Sequence, residues 1–391
     1  MSGYIFISNS TKPKKDEENN RELVKLSEVS RPCLKTALKM EFKVFFGVNR
    51  ARPEELNCEL PVSLYDSHTY RSIFALKDNY IAFKNLADLV KNNDIEVIHC
   101  NTPVGGLIGR LVGRIYNVKK VIYTAHGFHF FKGAPFLYNT IIKFAERIMA
   151  RWTDAIITMN EEDYNAAKNF KLKNNGKVYK VHGVGIDLKK YKNILIDKNI
   201  YRQKLGFKTN DILCFSAGDL VARKNYSIAI KAISECNNEN IHYLICGTGS
   251  DYKKLRELAK ELKVFDRIHF LGYRTDIKEL LFSSDIFLFS TLQEGLPRSL
   301  MEAMAVGLPC VVSNIRGNID LIENGKGGYL CDVKDSQSFA NAIDKLSINS
   351  ELRAIMGNYN KERIKEFDIS VVEKEIEKIY TEVLGESSEN E

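Results

Sequence analysis

Apolar residues along the chain fall into two alternating patterns: short continuous runs, and longer stretches in which they return every three or four positions. The short runs predict strands near 3–7, 43–47, 95–100, 119–124, 154–159 and 177–182, and the longer stretches predict amphipathic helices at about 78–93, 104–117, 136–151 and 161–170. After Gly185, Ile186 and Asp187 a polar, lysine-rich passage runs to about residue 200. The alternation then restarts, with strands near 211–217, 241–246, 267–271, 285–290 and 308–313, a short one at 328–331, and helices beginning near Asn225, Asp251, Asp276, Pro297 and Ser336. Alternation of this kind predicts parallel, doubly wound α/β sheets. The chain reads as a Rossmann-like domain at 1–187, a linker at 188–200, a second Rossmann-like domain at 201–365, and a charged helical stretch at 366–391 that can pack back on the first domain. Because α/β proteins bind ligands at the carboxyl ends of their strands, two such domains in series are expected to face one cleft.

A length of 391 residues exceeds the size at which one hydrophobic core stops growing, which agrees with two domains. With 44% hydrophobic and 27% charged residues, the composition excludes a disordered or fibrous chain. The net charge of +7 suits nucleic acid, an anionic lipid surface or a phosphorylated substrate, and its distribution decides among them. The most lysine-rich stretch, 12–15, runs straight into Asp16, Glu17 and Glu18, so it reads as a solvated loop and no nucleic-acid partner is expected. Eight cysteines form no CxxC pair, and several sit inside apolar runs such as 212–215, as reduced core residues of a cytoplasmic protein do. The apolar run at 3–7 is too short for a signal peptide or a membrane span.

The sharpest motif is Glu294-Gly295-Leu296-Pro297-Arg298-Ser299-Leu300-Met301-Glu302, two carboxylates eight positions apart directly after a predicted strand. Pro297 suits the first turn of a helix, which leaves Glu294 in the loop before it and Glu302 inside its second turn. Glu294, with the amides of Gly295 and Leu296, can then reach sugar hydroxyls, the helix start can face a diphosphate, and Glu302 can accept from a ribose diol. A single Glu at a helix start is ordinarily a macrodipole partner. The conjunction of strand, Gly, Pro, second Glu and the following Ala303-Met304-Ala305-Val306-Gly307-Leu308-Pro309 favours a site.

In this run the chain resembles the retaining glycosyltransferases of family 4, whose signature is two Glu separated by seven residues in this setting. The resemblance covers nearly all of the second domain and the first from about residue 94. The stretch 95–187, with His99-Cys100-Asn101-Thr102-Pro103-Val104-Gly105-Gly106 and Thr124-Ala125-His126-Gly127-Phe128-His129-Phe130, is similar to the capsular and exopolysaccharide branch. It implies the GT-B fold.

Ser216-Ala217-Gly218-Asp219-Leu220-Val221-Ala222-Arg223-Lys224-Asn225 is a strand followed by a loop whose cations open a helix, suited to binding both phosphates of a nucleoside diphosphate. The resemblance implies that role. Where many relatives carry Arg after the Gly, this chain has Asp219, so only Arg223 and Lys224 inherit it. The resemblance also places Gly247 and Gly249 of Cys246-Gly247-Thr248-Gly249-Ser250, and Tyr273 and Arg274 of the Gly272–Asp276 turn, around the nucleotide base, although glycines there can equally serve a turn. No GxGxxG follows the first strand, which argues against a dinucleotide site.

In the first domain His126 follows a predicted strand and matches the family's reaction-centre Thr-x-His-Gly context, whereas His129 reads first as a structural hydrogen-bonder and second as a substrate contact. Thr102, Gly105 and Gly106 form another strand-end loop, and Gly185 lies in a third, at 183–187; close backbone approach and an ordinary helix-start turn both account for these glycines. The loop 8–13, glycine-rich in many relatives, is Ser8-Asn9-Ser10-Thr11-Lys12-Pro13 here, and its role stays open. A helix at 132–151 interleaves Phe136, Leu137, Ile141, Phe144 and Ile148 with Lys143, Arg147 and Arg151; such a stripe ordinarily faces a core, and it also suits anionic lipid.

The reading is a retaining hexosyltransferase that takes a nucleotide diphosphate sugar, UDP-linked by preference, to a saccharide hydroxyl on a lipid-linked intermediate of capsule, exopolysaccharide or O-antigen synthesis, on the inner face of the cell membrane. Catalytic candidates are His126, Glu294, Arg223 and Lys224, and the substrate-binding set adds Thr102, Gly105, Gly106, His129, Gly185, Gly247, Gly249, Tyr273, Arg274, Gly295, Leu296, Pro297 and Glu302. Retention comes from the resemblance alone. No cofactor is expected, and without a DxD loop no metal. A nucleotide-sugar sensor or scaffold and a phosphorolytic enzyme on the same fold are the alternatives.

Overall fold

The computed structural model describes residues 1–8, 24–50, 52–70, 72–192 and 194–385. The acidic-flanked lysines at 12–15 and most of the open loop at 8–13 lie outside the described residues. Two compact units divide the chain, one of Met1–Gly185 with Ile369–Glu391, the other of Ile186–Asp368.

The first unit runs β1 (Gly3–Ile7), α1 (Ser30–Lys39), β2 (Lys43–Val48), β3 (Ser63–Asp66), α2 (Leu76–Asn92), β4 (Ile95–Asn101), α3 (Pro103–Ile115), β5 (Lys120–Ala125), α4 (Phe136–Ala150), β6 (Ala155–Thr158), α5 (Glu161–Ala167) and β7 (Lys177–Lys180). Its seven strands are ordered β3-β2-β1-β4-β5-β6-β7 and all pair in parallel. Helices cover both faces, so the central strands are buried along most of their length; β1 and β6 are buried throughout. β3 and α1 escape the hydrophobic pattern. β3 is a four-residue edge strand with one buried side chain, and α1 carries Pro32 in its first turn.

The second unit runs α6 (Lys189–Lys192), α7 (Lys198–Lys204), β8 (Ile212–Ala217), α8 (Tyr226–Glu235), β9 (Ile241–Cys246), α9 (Tyr252–Glu261), β10 (Ile268–Gly272), α10 (Ile277–Ser283), β11 (Ile286–Phe289), α11 (Arg298–Val306), β12 (Cys310–Ser313), α12 (Asn318–Leu321), β13 (Gly328–Cys331), α13 (Ser336–Ser347) and α14 (Ser350–Arg363). Its parallel sheet is ordered β10-β9-β8-β11-β12-β13. The polar passage read as a linker belongs to this unit. Lys198 and Arg202 of α7 reach buried Asp285 at 3.2 and 2.6 Å, and the same carboxylate accepts from the Leu213 amide at 2.9 Å, so α7 is pinned to the start of the sheet.

The chain then returns to the first unit as α15 (Ile369–Gly385). Its Tyr380 hydroxyl lies 2.6 Å from the Tyr4 hydroxyl and 2.5 Å from His99 Nδ1, all buried, and His99 Nε2 lies 2.8 Å from Thr124 Oγ1. Glu375 holds His182 through its backbone amide and its ring. A Cβ on Gly185 would stand 2.8 Å from the Ile369 Cα, so close packing of α15 accounts for a glycine there.

Candidate functional site

In a doubly wound sheet, the crevice for ligands opens where neighbouring strands send their connections in opposite directions. In the second unit that point lies between β8 and β11. The loop after β8 supplies Arg223 and Lys224 from a single 3-10 turn, and the loop after β11 supplies Glu294. One oxygen of Glu294, Oε1, accepts from Arg223 Nη1, Lys224 Nζ and Thr291 Oγ1, each at 2.8 Å. Lys224 also lies 4.9 Å from the centre of the Phe289 ring. The backbone repeats the connection, since the Leu292 amide donates to the Arg223 carbonyl at 2.9 Å and Ser290 Oγ donates to the Asn225 carbonyl at 2.9 Å. Three of the residues singled out in the sequence therefore form one cluster, in which two cations share one carboxylate.

Pro297 caps α11 and the helix proper starts at Arg298, one residue later than the sequence suggests. Gly295 and Leu296 are half-buried and Pro297 is buried. Glu302 stands in the second turn and accepts from Arg298 Nε at 3.0 Å. Sequence reasoning missed Arg316. It is buried in the loop after β12 and donates to the Glu294 carbonyl at 3.1 Å, fixing the backbone that carries the motif. The only signal is its place after a strand, between Ile315 and Gly317.

The glycines at 247 and 249 are explained by close approach. A Cβ at Gly247 would meet the Gly218 carbonyl oxygen at 2.0 Å and one at Gly249 the Leu220 carbonyl oxygen at 2.3 Å. The amides of Gly218, Leu220 and Gly247 bond to the carbonyls of Cys246, Thr248 and Gly272, lacing the loops after β8, β9 and β10 together. Tyr273 is exposed, while Arg274 forks onto Asp276 at 2.8 and 2.5 Å. That fork holds the Asp276 carboxyl down at about 2, so the Arg274 charge is already matched within the protein.

In the first unit the switch point lies between β1 and β4. Thr102 follows β4 with φ of 67° and ψ of 166°, a sparsely populated conformation for a residue with a side chain. Gly105 and Gly106 are buried inside α3; a Cβ on Gly106 would press on the Tyr123 ring at 2.5 Å, and one on Gly105 would lie 3.2 Å from Ile7. Packing of α3 on the sheet accounts for both. His126 follows β5, its loop anchored where Asp163 accepts from the Phe128 amide at 3.1 Å. Its Nδ1 lies 3.1 Å from the Met159 sulfur, and its buried Nε2 has no hydrogen-bond partner among the described residues. Burial pulls the imidazole pKa down to about 4, so the ring is neutral at physiological pH. With Nδ1–H directed at sulfur, Nε2 presents a lone pair to an incoming hydroxyl. Asn101, on β4 and in register with Thr124, keeps a buried Oδ1 without a partner among the described residues, a second polar group at this strand end to which sequence reasoning gave no role. His129 is exposed.

"Glycosyl transferases group 1" matches residues 197–363 and "Glycosyl transferase 4-like" matches residues 51–160. The putative glycosyltransferase EpsD of Bacillus subtilis (strain 168) is 30% identical over 309 residues, 78% of this chain and 81% of EpsD. The UDP-Gal:alpha-D-GlcNAc-diphosphoundecaprenol alpha-1,3-galactosyltransferase of Escherichia coli is 28% identical over 319 residues, 80% of this chain and 82% of that enzyme. Among solved structures, Anabaena Alr3699/HepE in complex with UDP and glucose shares the fold, with a TM-score of 0.76 at 19% identity over 98% of this chain and 100% of that one. The fold is GT-B, and the protein is a glycosyltransferase. The chain belongs to the glycosyl transferases of group 1, the family that the two glutamates pointed to.

Proposed function

We propose that the enzyme moves a hexosyl group from a UDP-sugar to a hydroxyl of a lipid-linked saccharide in the assembly of a cell-surface polysaccharide, with retention at the anomeric carbon. The observation that carries this reading is the cluster at the β8/β11 switch point, where Lys224 and Arg223 converge on Glu294 Oε1 at 2.8 Å. Two cations against one carboxylate leave a net positive charge where α/β folds bind phosphates. The similar E. coli enzyme is named for a UDP-sugar donor and a diphosphoundecaprenol acceptor, which supports the same substrate classes here.

In this mechanism Arg223 and Lys224 hold the diphosphate and stabilise the charge that grows as the anomeric C–O bond breaks. UDP leaves with the bonding pair, the acceptor hydroxyl attacks from the same face, and its proton passes to the departing phosphate oxygen. Glu294 holds both cations in place and offers its remaining oxygen to a sugar hydroxyl, Glu302 takes the ribose diol, and neutral His126 accepts from a donor hydroxyl through Nε2. The charge is met by side chains, and no divalent ion is assigned a part.

Release of UDP tests the reading. With donor and lipid-linked acceptor together, free UDP and an elongated lipid appear in equal amounts. A protein that binds the sugar nucleotide but never yields UDP is a sensor, and one that yields sugar phosphate only when inorganic phosphate is supplied is phosphorolytic; either result overturns the proposal.

A further inference from the structure

The loop after β8 carries an acid beside its two cations. Asp219 follows Gly218 and is exposed, and its carboxylate has no hydrogen bond and no ion pair among the described residues. Neither cation is left over to match it, since Arg223 and Lys224 both reach Glu294 Oε1 at 2.8 Å.

Backbone bonds hold Asp219 against the proposed phosphate site. The Val221 amide donates to its carbonyl at 3.0 Å, and the amides of Gly218 and Leu220, on either side of it, are tied to the carbonyls of Cys246 and Thr248 at 2.9 Å. The Tyr226 hydroxyl donates to the Gly218 carbonyl at 3.1 Å. A Cβ on Gly218 would lie 3.3 Å from that hydroxyl and 3.8 Å from Lys224 Nζ, so the chain next to Asp219 runs beneath one of the two cations. The same hydroxyl feels both acids. Burial first, then the Asp219 charge and, more weakly, Glu294 push its pKa above the usual tyrosine value, while Arg223 opposes them. At this loop two cations face two carboxylates, one bonded to them and one not.

The ligands of such a site differ in charge. Each phosphate of a UDP-sugar is a diester with one charge, whereas the terminal phosphate of free UDP loses a second proton at about pH 6. Above that pH the spent nucleotide carries one more negative charge than the donor, and it sits on the terminal phosphate. An unmatched carboxylate repels the more charged ligand harder, which makes it a device for discrimination and not for affinity.

We propose that Asp219 is a specificity-determining residue that sets donor against product: its carboxylate repels the terminal phosphate of UDP more than that of the UDP-sugar, which favours exchange of spent nucleotide for fresh donor. This role rests on the nucleoside diphosphate lying at the β8/β11 cluster, and it adds to that reading a residue that acts by repulsion, without touching the ligand.

Two probes isolate the charge: UDP itself, and its methyl ester on the terminal phosphate, which has the donor's charge and no sugar. Calorimetry on the full chain in EDTA, at low salt and about pH 7.5, compares the parent with Asp219→Asn and Asp219→Glu. Asp219→Asn is expected to keep the parent's melting temperature, to bind both probes more tightly, and to gain about 3- to 10-fold more for UDP than for the ester. Asp219→Glu, which keeps the charge, should keep the parent's ratio of the two affinities. At about pH 5, where the terminal phosphate holds its second proton, the extra gain for UDP should vanish. Equal gains for both probes, unchanged binding, or weaker binding by Asp219→Asn overturns the proposal. So does a parent that needs added magnesium to bind UDP, since the carboxylate would then hold a cation. A parent that binds neither probe strikes the proposed function and this role together, whereas a parent that binds both, with a ratio that Asp219→Asn leaves unmoved, strikes this role alone.

Discussion

Lys224 Nζ and Glu294 Oε1 lie 2.8 Å apart, joining the loop after β8 to the loop after β11. Arg223 reaches the same oxygen, so the carboxylate proposed to hold the sugar also neutralises part of the proposed phosphate site. The two roles that sequence reading kept on separate residues are coupled.

That coupling fixes the sign of a substitution. Glu294→Gln removes one negative charge; at about 5 Å from a phosphate and an effective dielectric near 20 this lifts ~3 kcal/mol of repulsion per unit charge. Against it stands the loosening of two charged hydrogen bonds, about 1.5–3 kcal/mol each, partly recovered by the amide oxygen. Calorimetry should find UDP bound as tightly as by the parent or up to about tenfold more tightly, while turnover with intact donor falls by about 10- to 150-fold. A tenfold loss of UDP affinity would show that Glu294 acts on the nucleotide itself.

Because burial keeps His126 neutral, with a pKa of about 4, no titration of this ring should appear in the turnover profile between pH 6 and 8. His126→Asn, which retains an acceptor, should recover part of the turnover that His126→Ala loses. A bell limb near pH 6.5 that disappears in His126→Ala contradicts a neutral acceptor.

Histidines also predict acid lability. His99 is pulled to about 3 by burial and then by the nearby His126, and His269 in the second unit to about 4 by burial and then by His242. Unfolded, each titrates near 6.5, so below that value the unfolded chain takes up protons the folded one refuses. The stability is complete above about pH 6.5 and drains as pH falls toward 3. Melting temperatures should decline across this window, and less steeply in His99→Gln, which lacks one of the refusing groups. Equal slopes for parent and variant would contradict the assignment to His99.

Arg110 and Glu146 form a buried pair whose halves are not independent. Glu146→Ala strands a fully buried guanidinium and should cost roughly 3–5 kcal/mol, whereas the double change Arg110→Met, Glu146→Leu should cost much less. Chemical denaturation of the two variants makes the comparison. Similar losses in both would show that the pair contributes packing alone.

Most of the architecture was legible because a parallel sheet buried on both faces writes its strands as apolar runs; β1, β9 and β13 begin and end where the pattern places them. The edge strand β3 was not legible, since an edge buries too little to leave a run, and α7 was hidden by its charge, which Asp285 neutralises only in three dimensions. At the site, Arg223, Lys224 and Glu294 could be named from their loops, but their meeting on one oxygen depends on β8 and β11 being neighbours, which chain order conceals. Arg316 carries no motif, and Asn101 lies inside the His99–Gly106 stretch without a feature of its own that marks it out. The stripe of α4 was visible, yet periodicity has no sign: it marks an apolar face without saying which way it points. The Arg110–Glu146 pair behind the helix decides that, leaving Phe136, Leu137, Ile141 and Phe144 exposed, against the core-facing reading.

Calorimetry with UDP on Lys224→Ala and His126→Ala tests the division between nucleotide and reaction centre most directly. The Lys224 side chain is 12% exposed and bonded to Glu294, so its loss should weaken UDP binding by about 10- to 150-fold, the range for a charge-assisted contact. His126→Ala should bind UDP as the parent does while turnover collapses. Parent-like UDP affinity in Lys224→Ala, or an equal loss in both variants, would contradict the placement of the nucleoside diphosphate on the β8/β11 cluster.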